Sequence, residues 1–185
     1  MASKLSVFKI ALKWGLLTAG ITIASSILFL IFGLYDTVYR IRETTETLIS
    51  IITLIVAITL VIRLYKKSND GFLKMSEAIK IGLYLAIITS VVIIIYNLIF
   101  ITVLKPDYYT EYFYGINGEK AWNDFYALNP DGHTRETYNV HAEEGFLREY
   151  QTQYPLFLII SVLISLITSS IVGFIMKKKM INGKG

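Results

Sequence analysis

The sequence predicts an all-α integral membrane protein with four transmembrane helices and an extracytoplasmic loop of about 50 residues between the third and fourth. Two observations predict this class. Hydrophobic residues make up 54% of the 185 residues and charged residues 17%, and the mean hydropathy is +0.55. This composition is unlike that of a soluble domain. Four apolar runs also contain no Asp, Glu, Lys, Arg or His: 14–34, 47–62, 81–104 and 155–176.

The lengths of these runs suit a bilayer, whose hydrocarbon core is crossed by about 20 apolar residues in a helix. Three runs reach that length, and the shorter second run is extended if Arg63 and Lys66 reach outward to the interface. We therefore expect one four-helix membrane domain over 1–185, with helices at about 14–34, 47–64, 78–104 and 155–176. The first run continues for about 20 residues without a clean small-x-small cleavage site before a polar stretch, so we interpret it as a retained helix and not as a signal peptide.

The distribution of charge predicts the orientation of the chain. Twelve of the 18 Lys and Arg residues lie in the N-terminal segment, the link between helices two and three, and the C-terminal tail. By the positive-inside rule both termini are cytoplasmic and the segment 105–154 faces the other compartment. Because the bases flank apolar runs, the net charge of +4 indicates a lipid bilayer as partner and no nucleic acid.

Small residues recur every four positions on three of the predicted helices, which puts each set on one helix face. Such faces allow close approach of two backbones. The pattern is typical of packing within a bundle, and a dimerisation face or a polar path is the alternative. The candidate helix-packing residues are Gly15, Ala19, Gly82, Ala86, Ser165, Ser169 and Gly173.

The predicted loop 105–154 holds twelve of the chain's 25 aromatic residues, together with nine acids and four bases. An aromatic belt at the membrane interface and a binding surface both account for this density. Within the loop, 140–154 has helical periodicity and is expected to lead into helix four, with Pro155 tolerated or producing a kink. The candidate partner-binding residues are Tyr112, Tyr114, Trp122, Tyr126, Phe146 and Tyr150.

Motifs for catalysis and cofactor binding are missing from the sequence. His141 is followed by Glu143 and Glu144 but lacks the second histidine of a zinc-protease helix, so no metal, cofactor or enzymatic activity is expected. The absence of cysteine excludes zinc–thiolate sites. The apolar runs contain one amide, Asn97, for which a hydrogen bond between helices or a substrate contact is the expected role.

One segment resembles a known family. Leu64-Tyr65-Lys66-Lys67-Ser68-Asn69-Asp70-Gly71-Phe72 leads into Glu77-Ala78-Ile79-Lys80-Ile81-Gly82, then Tyr96-Asn97, then Pro106-Asp107. This pattern is similar to the bacterial membrane-protein family catalogued as domain of unknown function 4199. The resemblance implies a bacterial inner-membrane protein and no particular activity. Lys74 stands where the family often has Ser or Thr, so we expect helix three to start at Ser76 or to be capped from Asp70.

Three hypotheses about function can be compared with these patterns. The first is a non-enzymatic accessory subunit that binds a membrane or periplasmic protein through its aromatic loop. The alternative is a small transporter or channel for a small or lipophilic solute, and a membrane enzyme is a third and weaker hypothesis. The sequence leaves the oligomeric state open. The polar path of a transporter would use Ser161, Ser165, Ser169, Thr89, Ser90 and Asn97.

Overall fold

The protein is helical over the part of the chain that the computed structural model describes, and no strand occurs there. The described residues are 6–32, 39–104, 119, 122–123, 126–127 and 134–177, with the backbone alone for 39–44 and 137–151. The long α-helices among the described residues are, in order, α1 (Val7–Ile31), α2 (Tyr39–Ser68), α3 (Met75–Ile99) and α4 (Arg135–Lys177). A π-helical segment, Phe100–Leu104, continues α3.

Four of the described segments are long and apolar enough to cross a membrane, as the sequence predicts. They are Val7–Ile31, Thr45–Ser68, Met75–Leu104 and Thr152–Lys177, with 25, 24, 30 and 26 residues. At about 1.5 Å per residue these lengths are roughly 36–45 Å, which exceeds the hydrocarbon core of about 30 Å. The fold is therefore that of a multi-pass membrane protein.

The ends of the helices differ from the predicted ones for a physical reason. A run without charged residues marks the part of a helix that can face hydrocarbon. The helix itself can extend further, because lysine and arginine are good helix formers. So α1 begins at Val7 and includes Lys9 and Lys13. Likewise α4 is continuous from Arg135 to Lys177 with Pro155 inside it, so 135–154 of the predicted loop belongs to a helix.

The chain divides into two compact units. One consists of Met1–Ile94 and Phe157–Gly185 and is called the bundle here, and the other is Ile95–Leu156. Within the bundle, Phe8 contacts Tyr84 and the site of Gly15 lies against Ile88, so α1 and α3 run in the same direction. Gly82 lies against Ser169, and Gly173 against Ala78, so α4 runs opposite to α3.

These directions bring the starts of α1 and α3 and the ends of α2 and α4 to one end of the bundle, which we call the lysine-rich end. Eight described bases lie there, with Asp70 and Glu77 as the described acids. The bases are Lys9, Lys13, Arg63, Lys66, Lys67, Lys74, Lys80 and Lys177. The structure thus collects three separate basic segments of the sequence at one end.

The interior of the bundle is apolar, with small hydroxyl residues interspersed. Ile58 and Ile62 of α2 and Ile81 and Leu85 of α3 are fully buried. The described buried polar side chains are all serine or threonine, which can return a hydrogen bond to their own helix backbone, as Thr18 does to the carbonyl of Trp14 at 2.7 Å. Many large apolar side chains of the four helices face outward instead, as a lipid-facing exterior requires.

Candidate functional site

A tight turn joins α2 to α3, and its backbone conformation explains why Asn69, Asp70 and Gly71 occur there. Asp70 and Gly71 have φ values of 51° and 82°, a left-handed conformation that Gly and Asp tolerate best. The Gly71 N–H donates to the Lys66 carbonyl at 2.9 Å, which closes the end of α2 in the manner of a Schellman motif. The Asn69 amide donates to the Phe72 carbonyl at 3.0 Å and holds the turn from the other side.

The carboxylate of Glu77 ties this turn to both helices. The Tyr65 hydroxyl donates to Glu77 Oε1 at 3.0 Å, and the Lys74 backbone N–H donates to Glu77 Oε2 at 2.9 Å. The second bond is one half of a capping box, in which the residue at N3 accepts from the N-cap backbone. The expectation that α3 starts at Ser76 or is capped from Asp70 is therefore wrong: α3 begins at Met75, and Lys74 needs no capping side chain because Glu77 supplies the bond.

A third contact joins the last helix to this turn. The Lys66 ammonium donates to the Met176 carbonyl at 2.8 Å, a bond between residues 110 positions apart in the chain. Met176 lies in the last turn of α4, where backbone carbonyls lack partners within the helix and a cation is favoured by the helix dipole. The Lys66 side chain thus caps the C-terminal end of α4, and the Lys66 carbonyl accepts the bond that caps the C-terminal end of α2.

The small-residue faces meet inside this chain. A Cβ placed on Gly82 would lie 2.7 Å from Ser169 Cβ and 3.0 Å from the Ser165 carbonyl oxygen. One on Gly173 would lie 2.8 Å from Ala78 Cβ. We call the contact of α3 with α4 through these residues the helix seam. The seven candidate packing residues are all buried: Gly15, Ala19, Gly82, Ala86, Ser165, Ser169 and Gly173.

The contact of α1 with α3 uses the same kind of residue. A Cβ on Gly15 would lie 2.9 Å from the Ile88 side chain, and the Thr89 hydroxyl donates to the Gly15 carbonyl at 3.2 Å.

Ser165 in the seam is fully buried, and its hydroxyl has no hydrogen-bond partner among the described residues. Asn97 is half-buried and makes no side-chain hydrogen bond within the described part of the chain, so the expected bond between helices is not seen there.

In the unit Ile95–Leu156, the structure brings two candidate binding residues together. The rings of Trp122 and Tyr126 lie 5.4 Å apart. The Arg135 guanidinium lies over the Trp122 ring, 5.6 Å from its centroid, and forms a salt bridge with Glu119 at 2.9 Å. We call these four residues the aromatic cluster. Tyr126 is 46% exposed, so the cluster presents an aromatic ring to its surroundings.

The remaining sequence candidates lie outside what the structure describes. Tyr112 and Tyr114 are not among the described residues, and Phe146, Tyr150 and His141 have a described backbone within α4 but no described side chain. The expected apolar face of 140–154 therefore stays a prediction. Among the described residues no group of three or more metal-ligating side chains occurs.

Two residues of the aromatic cluster are not singled out by the sequence. In the sequence, Arg135 and Glu119 are only charges of the predicted loop, whereas in the structure Arg135 lies over the Trp122 ring and pairs with Glu119. A signal is present for Glu119, since 119, 122 and 126 are spaced by three and four and the described parts of this segment are helical. Arg135 cannot be found in this way because it belongs to a different helix, at the first residue of α4.

The comparison with known families applies to nearly the whole chain. A family model described as "Protein of unknown function (DUF4199)" matches residues 13–178. The chain belongs to this family. The DUF4199 match includes the α2–α3 turn, the helix seam and the aromatic cluster, and it confirms the resemblance carried by the Asn-Asp-Gly-Phe and Glu-Ala-x-x-x-Gly segments. No curated protein and no solved structure matches this chain.

Proposed function

We propose that this DUF4199 protein is a non-enzymatic accessory subunit of the bacterial cytoplasmic membrane. Both termini lie in the cytoplasm, and the segment between α3 and α4 binds a membrane or periplasmic protein partner. The observation that carries the proposal is the aromatic cluster, in which Tyr126 stays exposed beside a Trp122 ring that Arg135 covers.

The chemistry of the cluster suits protein recognition. Trp, Tyr and Arg are the residues most enriched among those that dominate binding energy at interfaces. Here Arg135 lies over the Trp122 ring and also pairs with Glu119, so two contacts already restrict its side chain before a partner binds. An exposed tyrosine on such a support offers both apolar area and a hydroxyl to a partner.

The proposed orientation is supported by the lysine-rich end. Eight bases against two acids among its described residues are typical of a cytoplasmic membrane face. Because α3 starts at this end and crosses the bilayer, the segment that follows it would emerge on the other side. The aromatic cluster would then face the periplasm, where a partner has access to it.

The helix seam favours an accessory role over transport. A transport path along Ser165 and Ser169 needs space between α3 and α4 for a solute. The Cβ position of Gly82 lies within 3.0 Å of atoms of both serines, so the two helices touch where that path would pass. Contact this close is typical of packing between transmembrane helices.

Site-specific photo-crosslinking tests the proposal. A photoreactive amino acid at Tyr126, introduced in intact cells, should yield one discrete adduct of higher mass, and the same group at lipid-facing Leu163 should not. Trp122→Ala, combined with the probe at Tyr126, should reduce the adduct several-fold, whereas Asn123→Ala should not, because Asn123 is exposed in the same segment but outside the cluster. Equal adducts from Tyr126 and Leu163, or none from Tyr126, would refute binding through the cluster.

A further inference from the structure

Among the described bases at the lysine-rich end, Lys13 lies deepest along the bundle. A Cβ on Gly15 would lie 2.9 Å from the Ile88 side chain, so these two residues are level with each other. Because α1 and α3 run in the same direction, Lys13 is level with Ala86. The uncharged run of α3 begins directly after Lys80. Lys13 therefore lies about six residues inside that run, roughly 9 Å at about 1.5 Å per residue.

Helix α4 places Lys13 deeper still. Gly173 lies against Ala78, and the uncharged run of α4 continues beyond Gly173 until Lys177. Lys177 is thus level with a point about four residues before Ala78, and it lies roughly 18 Å from the level of Lys13. Both helices beside Lys13 are uncharged at its level, so this base lies at the depth of the hydrocarbon core.

The Lys13 side chain points away from the bundle at this depth. It is exposed, whereas Ala11 and Gly15, two positions before and after it, are buried. Two positions along an α-helix turn a side chain by about 200°. No salt bridge joins Lys13 to an acid among the described residues. Ionisable side chains at membrane depth are costly and usually pair with one another, so Lys13 requires a partner that the described bundle does not supply.

A lipid phosphate is one candidate partner, since a lysine side chain can extend toward the interface. However, Lys9 is also exposed on this face of α1, one turn nearer to the lysine-rich end. A phosphate that approaches this face reaches Lys9 first, and an ammonium drawn up beside Lys9 meets a like charge. A carboxylate at the depth of Lys13 itself is therefore the more favourable partner.

The rest of this face suits the approach of another helix. Leu16, Gly20 and Ala24 follow Lys13 at spacings of three and four, and all are exposed. A Cβ on Gly20 would meet nothing within 4 Å, so Gly20 has no packing role among the described residues. Small residues on a helix surface allow a second backbone to come close. We call these four residues the Lys13 face.

We infer that the Lys13 face docks a transmembrane helix of a second membrane protein, and that this helix carries an Asp or Glu at the depth of Lys13. The partner is a different protein, because the uncharged runs of this chain hold no acid that a second copy could offer. A lysine–carboxylate pair is strongly attractive where little water screens it. The inference does not depend on the aromatic cluster, which belongs to the other compact unit.

Model transmembrane peptides test the charge pair. The purified full chain is reconstituted in phosphatidylcholine vesicles with a leucine–alanine peptide that carries Asp at the depth of Lys13, and association is measured by energy transfer. This peptide should bind roughly tenfold more tightly than the same peptide with Leu at that position. Lys13→Glu should abolish binding of the Asp peptide and create binding of a Lys peptide. Lys80→Glu changes the net charge equally and should do neither.

Three results of this experiment would overturn the inference. Equal binding of the Asp and Leu peptides by the unmodified protein would do so whatever the stability of the variants. Equal binding of an Asn peptide and the Asp peptide would show that a hydrogen bond suffices and that charge is irrelevant. Equal losses in Lys13→Glu and Lys80→Glu would show a general attraction to the lysine-rich end.

Photo-crosslinking in intact cells tests the partner itself. A photoreactive amino acid at Leu16 should give an adduct whose sequence, read by mass spectrometry, is a transmembrane segment with an Asp or Glu. Lys13→Gln should reduce this adduct several-fold, and Lys80→Gln should not. No protein adduct, or a crosslinked segment without an acid, would overturn the inference. An adduct from Tyr126 without one from Leu16 would overturn the Lys13 face alone and leave the proposed accessory function standing.

Discussion

Gly82→Ala is the smallest change that tests the helix seam. The added Cβ would lie 2.7 Å from Ser169 Cβ, whereas nonbonded carbons are at their optimum at about 3.5–4.0 Å. Since the Ser165 carbonyl at 3.0 Å belongs to the backbone, rotation of one side chain cannot relieve the whole clash. The helices must therefore separate by roughly 1 Å, and overpacking of this kind costs about 1–3 kcal/mol. Gly82→Leu should cost more.

A matched glycine provides the control. Gly20 is exposed on α1, and a Cβ there would meet nothing within 4 Å. Alanine also has a higher helix propensity than glycine, so Gly20→Ala should leave stability unchanged or raise it. Each kcal/mol corresponds to about 2–4 °C in a chain of this size. In detergent, we expect Gly82→Ala to melt about 2–12 °C below Gly20→Ala.

A second variant tests whether Ser169 is the cause. Ser169→Gly removes both side-chain atoms that a new Cβ at Gly82 would meet at 2.7 and 2.8 Å. Combined with Gly82→Ala it should recover a large part of the lost melting temperature, so the two changes should be non-additive in a double-mutant cycle. Equal melting temperatures for Gly82→Ala and Gly20→Ala would refute the reasoning, because the face of Gly82 would then meet lipid.

Two further predictions concern the turn and the orientation. Tyr65→Phe removes the hydroxyl that donates to the Glu77 carboxylate, so it should lower stability by about 1–3 kcal/mol. Tyr84→Phe is the control, because the Tyr84 hydroxyl makes no hydrogen bond to a described residue, and an equal effect of both would exclude a special role for the bond. Alkaline phosphatase fused after Lys120 should be active and a fusion at Lys184 inactive, whereas the reverse pattern would invert the proposed topology.

The sequence reveals the spanning helices because the bilayer imposes a simple rule on composition. An uncharged run of about 20 residues is rare outside membrane-spanning helices, so the four membrane-spanning helices could be predicted. Charge-free runs do not show how far a helix extends beyond the hydrocarbon core. Lys9 and Lys13 are in α1, and α4 begins at Arg135, because helix formation outside the core depends on local propensity and packing.

The candidate sites show a different limit of the sequence. Spacing of four reveals which small residues share a face, but not which helix faces them, so the contact of Gly82 with Ser169 needed the structure. Glu77 could be recognised as favourable in the first turn of α3, yet its bond with Tyr65 depends on how the turn folds back. Contacts between distant segments, such as that of Arg135 with Trp122, leave no periodic signal at all.

The bond of Lys66 with the Met176 carbonyl has a consequence for the biogenesis of the protein. Its partners are 110 positions apart, and the carbonyl belongs to α4, which is synthesised after the other three helices. Helices that insert singly associate afterwards by packing. Before α4 is inserted, Gly82 lacks its contact with Ser169, and the Lys66 ammonium lacks the Met176 carbonyl. The four-helix bundle can therefore be completed only after α4 has been inserted.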